Sequence, residues 1–368
     1  MLLSALVGAF VFGADDYTEI NCSYRDATIM IFEAEFATGL MPIVKAEIDD
    51  CIQQQGRIIG TPRSDSLQFT YDGCINDLLS LRTVIAVYVV LQFDIPRPKA
   101  LLGHENFNHL CDTIKYNLTL SDYQSLYINA AGSDSSVMVR LKNELASALN
   151  LAITDDEGDL LLRIRRTPNT KKGWDVLIRL TPRPLATRSW RVCNYEGALN
   201  ASIASAIVQL TNPTPDDHFL NVASGSGTMM IERALYGTCA SVVGIDISQD
   251  ALACGQQNAD VAELDRLKQV QADAIQLPFR DNSFTKLVAD LPFGQLIGSH
   301  DENEWLYPAI LSEAARVATL SARFVIITHE IKLMNAVVEQ SSQWRLCEEL
   351  RKVAQSGYHP RIYVLERL

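Results

Sequence analysis

The strongest constraint on the fold lies beyond residue 217, where short apolar runs of strand length alternate with helix-length segments. The runs are His218–Ala223, Ser241–Asp246, Leu267–Asp273, Thr285–Leu291, Ala322–Thr328 and Arg361–Glu366. Runs rich in Val, Ile and Leu suit strands buried on both faces, and their alternation with helices predicts a doubly wound, mostly parallel α/β sheet. A weaker strand near Arg345–Val353 puts two strands in succession at the end, which predicts an antiparallel edge hairpin. Helices are expected over Asn200–Leu210 and Met229–Leu235.

Three of these runs end in residues that suit a ligand crevice. Phe219 to Thr228 reads as a strand entering a glycine-rich turn, Asn221-Val222-Ala223-Ser224-Gly225-Ser226-Gly227-Thr228. Glycines there let a ligand approach the backbone, and the following helix offers free N–H groups. Val242-Val243-Gly244-Ile245-Asp246 ends in an acid about twenty residues past the turn, the spacing at which a carboxylate meets ribose hydroxyls. Val270-Gln271-Ala272-Asp273-Ala274 ends in another. Each acid taken singly suits a helix cap equally well; the three in order at one sheet edge suit a nucleotide-like ligand. Asn221, Ala223, Ser224, Gly225, Gly227, Thr228, Asp246, Ile247, Asp273 and Ala274 are the expected contacts.

The fourth run ends in Asp290-Leu291-Pro292-Phe293-Gly294. An exocyclic amine of a nucleobase is a weak nucleophile because its lone pair is delocalised into the ring. A carboxylate and a backbone carbonyl accepting its two N–H groups would draw the nitrogen toward tetrahedral geometry. Pro292 shapes a turn that presents the Leu291 carbonyl, and Phe293 offers a face for a base taken out of its stack. Asp290, Leu291, Pro292 and Phe293 are the candidate catalytic residues, with Asp290 also bordering the cofactor.

The first half reads differently. Ala27–Glu35, Leu67–Tyr71, Thr83–Phe93 and Ser125–Ala130 are strand candidates, with helices at Met41–Gln53, near Ile75–Leu81 and at Asp134–Leu149. Asp159–Thr167 and Trp174–Thr181 flank an Asn169–Gly173 turn and predict a hairpin. The net charge of −12 argues against a simple nucleic-acid binder. Yet Arg163, Arg165, Arg166, Lys171, Lys172, Arg179, Arg183, Arg188 and Arg191 share their stretch of chain with a single acid, Asp175. That run is either an RNA-phosphate surface or a solvated strand face. The eight cysteines are scattered, without Cys-x-x-Cys pairs or nearby histidines at ligand spacing. They read as buried free thiols of a reducing compartment, with no metal expected. Met1 to Ala14 is apolar, lacks a basic start and is too short to span a bilayer, so a non-functional or mis-annotated leader is expected in place of a secretion signal, on a cytoplasmic protein.

From about Arg188 onward the chain resembles the THUMP-domain RNA methyltransferases, a group that includes the tRNA guanine-N2 methyltransferases. Their cofactor loop commonly reads Asp-Pro-x-Cys-Gly-Ser-Gly-Thr with an acid four residues later. Here the Gly-Ser-Gly-Thr core and Glu232 are present, while Asn221, Val222 and Ser224 depart from the pattern. Pro184 to Arg191 is similar to the family's link into the catalytic domain. Ala37-Thr38-Gly39-Leu40 and Leu81-Arg82-Thr83 resemble its ferredoxin-like domain. The resemblance implies an uncertain leader over 1–26, a ferredoxin-like α+β domain over 27–100 and a THUMP RNA-binding domain over 101–184. A Rossmann-like methyltransferase domain would then occupy 185–368. It further implies S-adenosylmethionine as cofactor, guanosine N2 in the tRNA acceptor region as target, and RNA contacts from Arg163, Arg165, Arg166, Lys171, Lys172, Arg188 and Arg191.

Three other readings compete. A nicotinamide-dependent oxidoreductase shares the glycine turn and Asp246 but gives no role to Asp290–Gly294. A non-catalytic RNA-binding protein with a decayed methyltransferase domain would account for Asn221, Val222 and Ser224. Methylation of rRNA or DNA would use the same residues.

Overall fold

One sheet of eight strands runs through the N-terminal half, across the expected boundary at residue 100. The structure, a computed structural model, describes residues 30–168, 170, 172–292, 300–350, 353 and 359–368. The leader, Ala27–Ile29, Lys171, Phe293 and Gly294 therefore lie outside the described residues. In chain order the half comprises β1 (Ile31–Glu35), α1 (Met41–Ile52), β2 (Gly56–Arg63), β3 (Ser66–Tyr71), α2 (Ile75–Leu79) and β4 (Ala86–Phe93). There follow α3 (His104–Leu118), β5 (Ser125–Ala130), α4 (Ser136–Leu149), β6 (Ala152–Ile153), β7 (Leu160–Arg166) and β8 (Trp174–Arg179). The strand order is β2-β3-β1-β4-β8-β7-β5-β6. The join is the antiparallel β4–β8 pair, in register from Tyr88 opposite Arg179 to Phe93 opposite Trp174. β7 and β8 form the expected hairpin.

Local chemistry explains the helices that sequence reading found. Pro42 opens α1, and Ile43, Val44, Ile48 and Ile52 bury one stripe of it. Ser135 caps α4 by accepting from the Met138 N–H at 3.4 Å, and Asn150 closes it in the left-handed conformation. β2 and α3 were not anticipated. β2 alternates half-buried with exposed residues along the sheet edge, so it has no apolar face to announce it. α3 is mostly polar and buries Leu110, Cys111 and Ile114 at helical spacing.

The C-terminal half comprises α5 (Ala201–Leu210), β9 (His218–Val222), α6 (Thr228–Tyr236), β10 (Ser241–Asp246), α7 (Gln249–Val261), β11 (Lys268–Gln271) and β12 (Phe284–Asp290). It ends with α8 (His300–Val317), β13 (Ala318–Thr328), α9 (Ile331–Gln340), β14 (Trp344–Leu350) and β15 (Arg361–Arg367). The sheet order is β11-β10-β9-β12-β13-β15-β14. Its first five strands are parallel, and β15 runs antiparallel to both β13 and β14, as the two terminal strands predicted. Chain order reverses between β9 and β12, and the carboxyl ends of strands at such a switch point leave a crevice open for ligands.

A buried joint connects the halves. The Glu232 carboxylate of α6 accepts from Arg82 Nε and Arg188 Nε, each at 2.8 Å, and is 1% exposed. Arg188 also donates to the Arg82 carbonyl at 2.7 Å. Beside this triad, Glu47 of α1 accepts from the Arg82 and Thr83 N–H groups and from Gln209 of α5.

Candidate active site

The switch point is built by β9 and the turn that follows it. In register, Asn221 lies between Gly244 of β10 and Val288 of β12. The chain then turns through left-handed conformations at Gly225 (φ 52°) and Gly227 (φ 79°), which glycine adopts without a Cβ penalty. The turn is fastened to the next strand: the Ser224 N–H donates to the Ile245 carbonyl at 2.7 Å, and the Gly225 N–H to Asp246 Oδ2 at 2.8 Å. Asp246 Oδ1 accepts from the Ser248 N–H at 2.9 Å. One carboxylate thus pins the glycine turn and the start of α7, and each oxygen keeps lone-pair capacity for a further donor. A Cβ on Gly244 would come within 2.6 Å of Met230 Sδ and 3.1 Å of Ser224 Cβ, so the turn packs directly on β10.

Among the described residues, three polar side-chain atoms around this turn are buried without a partner: Asn221 Oδ1, Ser224 Oγ and Ser226 Oγ. Buried polar atoms are usually satisfied, so Ser224 and Ser226 on the turn and Asn221 near the end of β9 offer unfilled hydrogen-bonding capacity to a polar ligand. Sequence reading named Asn221 and Ser224 but not Ser226. Thr228 accepts from Arg191 Nη2 at 2.9 Å, so the start of α6 is held from the linker side. Ile247 is 69% exposed just past Asp246, an apolar surface at the crevice edge. Asp273 Oδ1 accepts from the Ile275 N–H at 3.1 Å and folds over its own turn, and Ala274 packs partly buried beside the core.

Asp290 ends β12 one residue past the Ala289–Val222 pair, next to the glycine turn. Among the described residues no donor reaches its carboxyl, and burial pushes its pKa up to about 7. The Leu291 N–H donates to the Ile327 carbonyl at 3.1 Å. The Pro292 carbonyl accepts from Asn303 Nδ2 at 3.1 Å and from the Tyr307 hydroxyl at 2.7 Å. Neither α8 residue was singled out in the sequence. This arrangement can receive a polar ligand beside a carboxyl that is readily protonated and deprotonated near neutral pH.

The basic run divides. Arg165 pairs through both Nη atoms with Glu33, at 2.8 and 2.5 Å, and its Nη2 also lies 3.6 Å from Asp175. Arg163 pairs with Glu35 at 2.9 Å and lies 4.8 Å over the Tyr88 ring. Glu33 and Glu35 come from β1, some 130 residues upstream, which the local charge count could not reveal. Arg188 serves the buried joint, and Arg191 binds Thr228 and the Leu199 carbonyl. Arg165, Arg188 and Arg191, expected to contact RNA, are each held by acceptors of the protein itself. Arg166, 5.1 Å over the Trp174 ring, and Lys172 are exposed. A cavity of about 580 Å³ opens beside Arg166, lined by charges of both signs, with Arg63, Arg163 and Arg166 facing Glu33, Glu35 and Asp65.

The cysteine expectation also needs correcting. Cys193 and Cys254 are joined in a disulfide, and Cys347 is exposed rather than buried. The bond fastens the linker after Arg191 to α7, where Asn258 Oδ1 also accepts from the Val192 and Cys193 N–H groups. Sixty-one residues separate the two thiols, so no local spacing announced the pair. Among the described residues there is no group of three or more His, Cys, Asp or Glu side chains placed to hold a metal ion, and no helix is long and apolar enough to cross a membrane.

Residues 188–360 match the family described as UPF0020: RMKL-like, methyltransferase domain. The chain is 28% identical over 219 residues to a tRNA (guanine(6)-N2)-methyltransferase of Methanocaldococcus jannaschii, covering 49% of this chain and 57% of the relative. It is 27% identical over 192 residues to a tRNA (guanine(6)-N2)-methyltransferase of Thermus thermophilus, covering 52% and 56%. The matches thus span a little over half the length of these relatives. The fold of TrmN from Thermus thermophilus superposes with a TM-score of 0.72 at 20% identity, covering 92% of this chain and all of that one.

Proposed function

We propose that the chain, whose residues 188–360 match an RMKL-like methyltransferase domain, transfers a methyl group from S-adenosylmethionine to guanosine N2 in the acceptor region of tRNA, in the cytoplasm. The observation that carries this reading is Asp290 beside a glycine turn with three orphaned polar atoms, at the switch point of the sheet. The names of the relatives supply the nucleotide and the RNA class.

The residues present fit the cofactor. Asp246 would accept from ribose hydroxyls while still holding the turn. Asn221 Oδ1, Ser224 and Ser226 would find partners in the polar amino-acid end, with Ala223, Gly225, Gly227 and Thr228 allowing close approach. Ile247 would pack against the base of the cofactor, and Asp273 and Ala274 would border it. When bound, the cofactor supplies an electrophilic methyl group.

The remaining chemistry belongs to the chain. Asp290 and the Leu291 carbonyl would accept the two N–H groups of the target amine and aim its lone pair. Such alignment acts mainly in the transition state, so it lowers the barrier rather than tightening substrate binding. The amine must lose a proton overall, and a carboxyl with a pKa near 7 is matched to take it. Pro292 fixes the turn, and Phe293 is assigned the stacking face for the flipped base. Arg166, Lys171 and Lys172 are assigned RNA phosphate contacts, with Arg163 alongside. Of the expected RNA-binding residues, Arg165, Arg188 and Arg191 become supports of the structure.

The test is incubation of the purified chain with radiolabelled S-adenosylmethionine and bulk tRNA, rRNA or DNA, followed by mass spectrometry of the nucleosides. N2-methylguanosine in the tRNA arm is expected. A different methylated nucleoside would overturn the guanine assignment. Cofactor binding without transfer in any arm would favour a non-catalytic RNA-binding protein.

A further inference from the structure

Behind the Asp290–Pro292 turn, one face of α8 presents Asn303 and Tyr307, four residues apart and each 0% exposed. Both donate to the same acceptor, the Pro292 carbonyl, at 3.1 and 2.7 Å. The Tyr307 oxygen lies 2.6 Å from Thr328 Oγ1, at the end of β13, and Thr328 Oγ1 accepts from the Glu330 N–H at 3.0 Å. Counting protons fixes the direction of this chain. Tyr307 has one hydroxyl proton and gives it to Pro292, so Thr328 gives its own to Tyr307 and accepts from Glu330. Burial pushes the Tyr307 pKa up, which keeps it a donor throughout the physiological range. Bonds aligned in one direction polarise each other and strengthen the last link, here the one to Pro292.

Two dihedrals lie between the Leu291 carbonyl and the Pro292 carbonyl, and the proline ring already fixes one of them. Two donors on the Pro292 carbonyl fix the other. The Leu291 N–H is tied to β13 on the near side. The Leu291 carbonyl is therefore carried on a segment held at both ends, by β13 before it and by α8 after it.

We propose that Asn303 and Tyr307 are positioning residues for methyl transfer: they grip the Pro292 carbonyl so that the Leu291 carbonyl and the Asp290 carboxyl hold one orientation toward the amine. This rests on the methyltransferase reading above. Neither residue touches substrate. Their loss falls on turnover, because misplacement of reacting groups by a fraction of an ångström is costly while cofactor binding lies elsewhere on the turn.

The test uses the full chain with Tyr307→Phe, Asn303→Ala, the double substitution, and Thr328→Val against Thr328→Ser. Hydrogen exchange of the Leu291 amide reports the turn itself, and is expected to quicken at least tenfold in the double variant. At saturating tRNA and cofactor, kcat should fall about tenfold or more in Tyr307→Phe, with KM and calorimetric cofactor affinity within threefold of wild type. Thr328→Ser should recover most of what Thr328→Val loses. Unchanged exchange, or faster exchange with kcat within twofold, overturns the proposal. Should Tyr307→Phe fail to fold, Thr328→Val, which leaves the Tyr307 hydroxyl in place, carries the same comparison. An inactive wild type would instead overturn the methyl-transfer reading and with it the role in turnover. The exchange measurement would still report separately whether the grip on the turn exists.

Discussion

Asp290→Asn should make the protein more stable and less active, and the stability gain should depend on pH. Burial raises the carboxyl from 3.8 to about 7 in the folded chain. A folded pKa above the unfolded one means that ionisation opposes folding. The penalty is small below about pH 4, grows between pH 4 and 7, and is complete above pH 7. Three pKa units correspond to about 4 kcal/mol, and solvent reaching part of the carboxyl lowers this to about 2–4 kcal/mol. Asparagine has nearly the same shape without the charge, so it removes most of the penalty. For a domain of this size, each kcal/mol moves the melting temperature by roughly 2–4 °C, so a rise of roughly 5–10 °C is expected at pH 8. At pH 5 the gain should be less than half as large. Turnover should fall about ten- to a hundredfold, less than in Asp290→Ala, because the amide oxygen still accepts one hydrogen bond. Thermal melts at the two pH values, with methyl transfer measured on the same preparations, check both halves. Equal destabilisation at pH 5 and pH 8 would refute the reasoning, since the carboxylate would then be a structural acceptor and not a buried charge kept for function.

Asp246→Ala should weaken calorimetric cofactor affinity roughly ten- to a hundredfold and lower the melting temperature at pH 7, because two backbone N–H groups lose a charged acceptor worth about 1.5–3 kcal/mol each. Lys172→Glu should weaken tRNA binding and flatten its salt dependence, as loss of a phosphate contact requires, in binding titrations from low to high salt. Arg165→Glu should instead unfold or severely destabilise the N-terminal sheet in thermal melts, since it sets a third buried acid beside Glu33 and Asp175. Glu232→Gln should cost about 3–5 kcal/mol in denaturant unfolding by leaving Arg82 and Arg188 uncompensated.

What could be read from the sequence was whatever a strand or turn announces locally. The parallel sheet, its antiparallel edge, the glycine turn, Asp246 and Asp290 all follow from runs of fewer than a dozen residues whose side chains declare their environment. What could not be read depends on partners brought together by folding. Arg165 meets Glu33 from 132 residues away, and Arg82 meets Glu232 from 150. In sequence Arg165 belongs to a basic patch, and in space it sits between two acids, Glu33 and Asp175. Asn303 and Tyr307 were invisible for a related reason: a buried polar residue on a helix looks like any surface one until its acceptor is known. Cys193 and Cys254 show the same limit, as two isolated thiols that the fold places together.

The Arg82–Glu232–Arg188 joint makes the two sheets behave as one gauge. Its central carboxylate is fully buried and its ion pairs are screened far less by dissolved ions than exposed Arg166 and Lys172 are. Rising ionic strength should therefore slacken the hold on an RNA without altering the span between the holding surface and Asp290. The nucleotide presented at that span should stay the same as activity declines, so methylation would slow rather than wander to neighbouring positions.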